Sequence, residues 1–396
     1  MNRQNGVERP LDIVLFGATG FVGALTAAYL AEHAPEGCRW ALAGRDSSKL
    51  ERLRKRLAAA FPRCAELPLV TADADDDGAL GDLARSAHVV VSTVGPYVRY
   101  GAKLVAACAE AGTDYADLTG EPEFVDRMYL EHDARARETG ARLVHACGFD
   151  SVPHDLGVWF TVGRLPEGVP LTVDGFVRTH AVFSGGTFAS ALTALGRGPQ
   201  TARAARERRL REPRPVGRRA RAPQGSPHFS SATGTWALPL PTLDPRVVER
   251  SARALERYGP DFRYRHFASV KRLPVALGGT AALGALAGAA QVPPLREWLM
   301  SRYAAGSGPG ERRRSQSWFT VRFVGEGGGR RVFTEVSGGD PGYDETAKML
   351  AESALCLALD ELPRTAGQVT TAVAMGDALL ERLRSAGIGF RVAAAL

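Results

Sequence analysis

Cysteine and lysine are scarce in this chain, and the first shortage restricts what it can be. Five cysteines, at 38, 64, 108, 147 and 356, are odd in number and nowhere spaced as Cys-x-x-Cys. That excludes a disulfide framework and gives no zinc pattern, so no metal is expected and a reducing, cytoplasmic compartment is. The opening stretch MNRQNGVERPLDIVLFG lacks the long apolar run of a secretory signal, so secretion is not expected. Five lysines stand beside 45 arginines, a bias that points to no function by itself.

Broadly spread positive charge is missing as well. The formal net charge is +7, and residues 203–221 alone hold nine arginines against Glu207 and Glu212. The remainder is close to neutral, which argues against a nucleic-acid partner held on a wide basic face. With Pro213, Pro215 and Gly217 inside it, the arginine run reads as a solvated loop, or as a docking site for an acidic carrier protein or an anionic lipid surface.

Charge is wholly absent from 273–295, LPVALGGTAALGALAGAAQVPPL. Its length reaches the roughly 20 residues of a membrane span, yet alanine and glycine dominate and Pro274, Pro293 and Pro294 interrupt its ends. A buried small-residue helix and a peripheral segment for lipid or a partner both fit better. Lys271, Arg272 and Arg296 at the flanks suit the peripheral reading.

Glycine, by contrast, stands where chemistry needs it. DIVLFGATGFVGALTAAYLAEH reads as a short strand, Ile13 to Phe16, then a glycine turn and a helix. Gly17, Gly20 and Gly23 make Gly-x-x-Gly-x-x-Gly, a relative of the dinucleotide fingerprint. The first lets the chain leave the strand sharply, the second admits a pyrophosphate to the backbone N–H groups, and the third lets the helix lie close. Thr19, Phe21 and Val22 complete the predicted cradle, to which the helix N-terminus adds partial positive charge.

A second strand ends at Gly44-Arg45, where an NAD site would present an acid to the ribose. Arg45, with Ser47 nearby, suits a 2′-phosphate instead, and Asp46 reads as a helix cap, so NADP(H) is the expected cofactor. Asp73, ending a third strand, either accepts from the adenine amino group or is a plain loop acid.

The fourth strand runs VVVSTVGPYVRYG. Ligands of an open parallel sheet lie beyond the carboxyl ends of its strands, so Thr93, Gly95 and Pro96 are expected beside the nicotinamide half of the cofactor. Tyr97 is either the first candidate proton donor or a packing aromatic at a seam. Asp150, Ser151 and His154 follow a predicted sixth strand, RLVHACG, at the same edge of the sheet. They are the other catalytic candidates, although a Ser or Asp after a strand also serves as a helix cap.

VGPYVRYGAKLVAACAEAGTDYADLTGE and VHACGFDSVPHDLG together resemble the saccharopine dehydrogenase-like oxidoreductase family, in particular its trans-acting enoyl reductase branch. SGGTFASAL (184–192), GDPGYDETAKMLAESALCLALDELP (339–363) and AMGDALLERLRSAGIGFRV extend the likeness, while about 195–315 matches poorly. GQVTTAVAMGD at 367–377 departs from the family at Gln368 and Thr371. The resemblance implies an NADPH-dependent reductase acting on an α,β-unsaturated acyl thioester, a polyketide or lipid intermediate, carried by a partner. A saccharopine-type imine reductase and a non-catalytic NADP-binding, lipid-associated protein stay open beside it. No tyrosine has lysine four residues on, which excludes the Tyr-x-x-x-Lys relay of short-chain dehydrogenases.

The expected architecture is α/β: an N-terminal Rossmann-type parallel sheet with a second α+β domain containing an antiparallel sheet. The NADP-binding domain is expected over 1–155 and a substrate or partner domain over 156–340. In the latter, SQSWFTVRFVGEGGGRRVFTEVSG reads as a hairpin turning within Gly325–Gly329. Residues 341–396 form a C-terminal helical segment expected to pack back on the nucleotide domain.

Overall fold

The computed structural model describes residues 8–181, 192–193, 195–292, 294–295, 298–299 and 308–394. The sequence block 184–192 lies outside them apart from Leu192, and so does Arg296.

The first sheet comprises β1 (Leu11–Phe16), β2 (Trp40–Gly44), β3 (Leu69–Thr71), β4 (Ala87–Ser92), β5 (Asp114–Asp117) and β6 (Arg142–Val144), joined late in the chain by β14 (Gly367–Val369). Their spatial order is β14-β6-β5-β4-β1-β2-β3, and every pairing is parallel. LDIVLF and VVV are near-continuous apolar runs because both faces of this sheet are covered. Ile13, Leu15 and Val89 pack beneath α1 (Phe21–His33), α2 (Ser47–Ala60) and the late helix Asp344–Leu359. Val14, Phe16 and Val90 pack toward α3 (Asp77–Ser86), on the other face. Strand order reverses at β1, whose neighbours are β4 and β2, and that reversal opens a crevice at the carboxyl ends.

The second sheet holds β7 (Leu171–His180), β8 (Arg219–Arg221), β9 (His228–Ser230), β10 (Thr235–Pro239), β11 (Asp261–Val270), β12 (Trp318–Gly327), β13 (Arg330–Gly338) and β15 (Gly389–Val392). Its order is β15-β13-β12-β7-β11-β10-β9, with β8 beside β11. It is mixed rather than purely antiparallel, since β7 and β8 both run parallel to β11. The long crossover from β7 to β11 permits that direction, which a tight hairpin cannot. The β12–β13 hairpin turns at Gly328 and Gly329, both at positive φ (56° and 75°), as a two-residue primed turn requires. The C-terminal portion joins both sheets: β14 extends the first, β15 the second.

Two expectations change. The arginine run is not a loop in its first half, because Gly198–Arg211 is a helix. No breaker intervenes between Pro199, suited to a first helical turn, and Pro213, and Arg203 pairs with Glu207 one turn on at 2.8 Å. Arg208 is buried, held by Glu212 at 2.7 Å and Gln368 at 2.5 Å. The apolar segment is the helix Leu273–Ala290, and it is not buried: of its described side chains Ala290 alone is. Among the described residues no helix is long and apolar enough to cross a membrane.

Candidate active site

The turn after β1 shows what each glycine serves. Gly17 has φ +84°, and a Cβ there would meet Val94 Cγ2 at 2.6 Å. A Cβ on Gly23 would lie 2.2 Å from the Gly17 carbonyl oxygen, so α1 can sit on the turn only without one. Gly20 differs: a Cβ there would meet only that same oxygen, at 3.3 Å. Packing within the chain does not demand glycine at 20, whereas a phosphate lying against the backbone does. α1 begins at Phe21 with no side chain capping it, and uncapped first-turn N–H groups are an anion site. Thr19 and Val22 are partly exposed at this turn, and the Phe21 ring packs edge-on to Tyr343 at 4.9 Å. From β4, the Thr93 hydroxyl donates to the Gly17 carbonyl at 3.0 Å. The residues therefore fit a dinucleotide's pyrophosphate.

Arg45 and Ser47 are exposed past β2. The Asp46 carboxylate accepts from Lys49 N at 3.0 Å as the cap of α2, which commits it locally. Asp73 accepts from Asp75 N at 3.0 Å, a local turn that leaves its second oxygen outward. Gly95 is exposed and Pro96 partly so, ahead of the short helix α4 (Tyr97–Tyr100).

Tyr97 goes into the core. Its hydroxyl donates to the Ser92 carbonyl at 3.0 Å and accepts from Leu118 N at 3.1 Å, so it bridges the loops after β4 and β5. Burial pushes the phenol well above its ordinary range, and Asp117 adds to the rise. This geometry gives Tyr97 a structural task and leaves no proton directed at a ligand.

The loop after β6 is fixed from below and carries the other candidates. Asp117 accepts from Ala146 N at 2.9 Å and contacts His145 Nδ1 at 2.7 Å. Phe149 N donates to Thr346 Oγ1 at 3.1 Å. Asp150 follows, open to solvent on one side, and a Cβ on Gly120 would stand 3.0 Å from its Oδ2. Desolvation by the surrounding protein raises its carboxyl to about 6, with the Asp244 carboxylate adding to the rise and His154 opposing it. Ser151 is fully buried; its carbonyl accepts from His154 N and Asp155 N at the start of α7 (Val152–Val162).

His154, on the first turn of α7, is buried with Nδ1 2.8 Å from Asp244 Oδ1. Asp244 Oδ2 lies 3.7 Å from His266 Nε2, and Tyr264 Oη is 2.8 Å from His266 Nδ1. Burial takes the His266 imidazole down to about 3, so it is neutral. Burial alone would raise Asp244, but His154 beside it holds its carboxyl below the ordinary value. Ligand atoms of His154, Asp244 and His266 all fall within 4.8 Å of one another, the one such group among the described residues. His154 Nδ1 and Asp244 Oδ1 are close enough for an ion pair, yet neither atom, nor His154 Nε2, has a hydrogen-bond partner among the described residues. The structure thus assembles Asp150, His154, Asp244, His266 and Tyr264 from three segments. Sequence reading found the first two. Asp244 heads a helix and looks like an ordinary cap, and His266 alternates in a strand, so neither carries a local signal.

Residues 13–144 match the saccharopine dehydrogenase NADP binding domain. The chain is 39% identical to a putative trans-acting enoyl reductase of Mycobacterium tuberculosis, with 97% of each chain covered. It is 37% identical to a trans-acting enoyl reductase of Mycobacterium bovis, covering 96% of this chain and 97% of that one. Among solved structures, apo saccharopine dehydrogenase (L-Glu forming) from Saccharomyces cerevisiae aligns with a TM-score of 0.53 at 11% identity, covering 97% of this chain and 100% of that one. At that identity the fold alone is shared.

Proposed function

The chain belongs to the saccharopine dehydrogenase-like oxidoreductases, in their trans-acting enoyl reductase branch, and is an NADP-dependent oxidoreductase; on that premise we propose that it reduces the α,β double bond of an acyl thioester delivered by a carrier or synthase partner. The Gly17–Gly23 turn would hold the pyrophosphate of NADPH and Arg45 its 2′-phosphate, and the bound cofactor would supply the hydride for Cβ. The π electrons move toward the thioester carbonyl, and the resulting enolate needs a proton at Cα. Asp150 supplies it: its carboxyl loses the proton as the new Cα–H bond forms, and solvent on its open side restores it.

The observation that carries this assignment is the position of Asp150, an exposed acid past the carboxyl end of β6 and therefore at the same edge of the parallel sheet as the Gly17–Gly23 turn, with desolvation by its neighbours raising the carboxyl to about 6. A general acid works best when its pKa lies near the working pH. His154 and Asp244 form the wall behind Asp150 and tune it rather than react.

NADPH oxidation with a soluble crotonyl-type thioester tests the reading. Since Asp150 must be protonated to act, kcat/KM should be flat below pH 6 and fall about tenfold per unit above it. Asp150→Asn should lower kcat by about 10²–10⁴ and remove that limb, with NADPH affinity retained. A mutant with wild-type rate and pH profile would move the proton donor elsewhere. Failure of the wild type to turn over any enoyl thioester, while binding NADPH, would sink the substrate assignment.

A further inference from the structure

We propose that the edge of the second sheet from which the helix Leu273–Ala290 departs is a docking surface for an anionic phospholipid bilayer, engaged peripherally. The inference suits the acyl-substrate reading, but its evidence is independent of it. Nine large hydrophobic side chains are exposed among the described residues, and five fall between 273 and 298: Leu273, Val275, Val292, Leu295 and Trp298. Leu273 and Val275 open the charge-free helix and Val292, Leu295 and Trp298 follow its end, so exposed apolar side chains flank it on both sides, a patch of the kind that marks an interaction site.

Strand register adds a second feature. Phe229 pairs with Trp236, Trp236 with Val270, and Trp318 with His180. β7 and β11 run parallel and in step as far as Val177 and Ala268, so their last residues reach the same edge. That edge therefore carries Phe229, Trp236 and Trp318 together with Arg178, Lys271 and Arg272. The Phe229 and Trp236 rings meet edge-on at 5.7 Å, and the Arg178 guanidinium lies 5.4 Å over the Trp318 ring. Aromatic rings and cations bordering an apolar element are the distribution found at a membrane–water boundary.

Charge selects the occupant. Lys271 and Arg272 stand at the head of the charge-free stretch beside Arg178, Arg296 follows it in the sequence, and no acid occurs from 262 to 296, while Arg265 farther back on β11 is paired with Asp174. Such a segment is drawn to an anionic leaflet more strongly than to a neutral one, which offers the apolar contact alone. Because no described helix is long and apolar enough to cross a membrane, the contact is with the surface of the bilayer.

Co-sedimentation of the full chain with vesicles tests this, using phosphatidylcholine alone against phosphatidylcholine with one-third phosphatidylglycerol. The protein should pellet with the second far more than with the first. Lys271→Ser with Arg272→Ser should weaken binding about tenfold or more, the scale expected for two cations at such a surface. Val275→Glu should abolish it. NADPH affinity, equal in all forms, reports that the variants are folded. Equal binding to both vesicles, or binding to neither, would overturn the proposal. A wild type that sediments as a dimer, with Val275→Glu a monomer, would also overturn it by giving the surface to a second copy. Turnover of a soluble crotonyl thioester, measured beside this, should be unchanged by all three substitutions. Its absence in the wild type counts against the reductase reading and leaves the vesicle result standing.

Discussion

Gly20 and Gly23 stand three residues apart in one turn and answer to different demands. A Cβ on Gly23 collides with backbone at 2.2 Å, while one on Gly20 collides with almost nothing. Gly23→Ala should therefore destabilise the fold by about 1–3 kcal/mol, as overpacking does. Gly20→Val should unfold at nearly the wild-type denaturant concentration yet lose NADPH binding, because its side chain fills the phosphate position. Urea unfolding and cofactor titration on both variants separate the two roles, and a Gly20→Val protein that still binds NADPH would show that this glycine serves only the turn. Arg45 makes the matching argument for the ribose end. Arg45→Asp should weaken NADPH binding by about 1–3 kcal/mol, the range of a charge-assisted hydrogen bond, and leave NADH binding nearly unchanged. Parallel titrations with the two cofactors decide it, since equal losses would place the 2′-phosphate elsewhere. These residues were legible in the sequence because the strand, turn and helix that define the cradle are consecutive. Tyr97 was open to two readings there, since whether its hydroxyl meets a ligand or the backbone of Ser92 and Leu118 depends on a neighbouring strand.

Among the elements, the helix Gly198–Arg211 separates into two faces with different chemistry. Arg208 points inward to a knot centred on the buried carboxylate of Asp126, which Arg208 approaches at 3.5 Å and Arg246 at 3.1 Å, with Arg250 closer still. Burial brings the Arg208 guanidinium down to about 10, with Arg250 adding to the fall. Asp126→Ala would leave three guanidinium groups facing one another without their shared anion. Because Arg208 keeps Glu212 at 2.7 Å while Arg250 loses its carboxylate, the cost should be about 1.5–3 kcal/mol, the scale of a hydrogen bond to a charged group, measured as a shift in urea midpoint. Arg206, Arg209 and Arg211 face solvent on the same helix. Replacing all three with Ser should leave the midpoint within about 0.5 kcal/mol of wild type. If an acidic carrier docks on that face, the triple variant should show a higher KM for carrier-bound substrate, by a margin that shrinks as salt rises. An unchanged KM at low salt would remove the docking role. Composition alone could count these arginines but could not divide them. The division comes from α6 (Pro122–Thr139), which bears Asp126, 82 residues before Arg208 in the chain.

Across the whole molecule, one buried carboxylate joins parts that are far apart in sequence. Asp155 on α7 accepts from Thr371 Oγ1 and from Ala372 N, each at 2.8 Å, and from the Ser251 hydroxyl. It thereby binds the helix after the first sheet to the helix Asp244–Ala254 and to the short helix after β14. The departure from the family pattern at Thr371 falls on this junction, where the hydroxyl is one of the donors. Asp155→Ala should strand those donors in the interior and cost about 2–4 kcal/mol. Asp155→Asn keeps one acceptor for Thr371 and Ala372 and turns its amide toward Ser251, so its cost should be below about 1 kcal/mol near neutral pH. The pH dependence fixes the sign. Burial raises the Asp155 carboxyl above its ordinary value, so folding favours its protonated form. Stability from that form is fully present below the unfolded value of about 3.9 and is lost as pH rises through the folded one. The Asn variant carries no such titration. Relative to wild type it should therefore gain stability as pH increases, and urea unfolding of both proteins at several pH values from 4 to 8 measures the difference. A gap that stays constant over that range, or widens in favour of wild type, would mean that Asp155 is held as a carboxylate by its three donors and that the junction is ionic throughout.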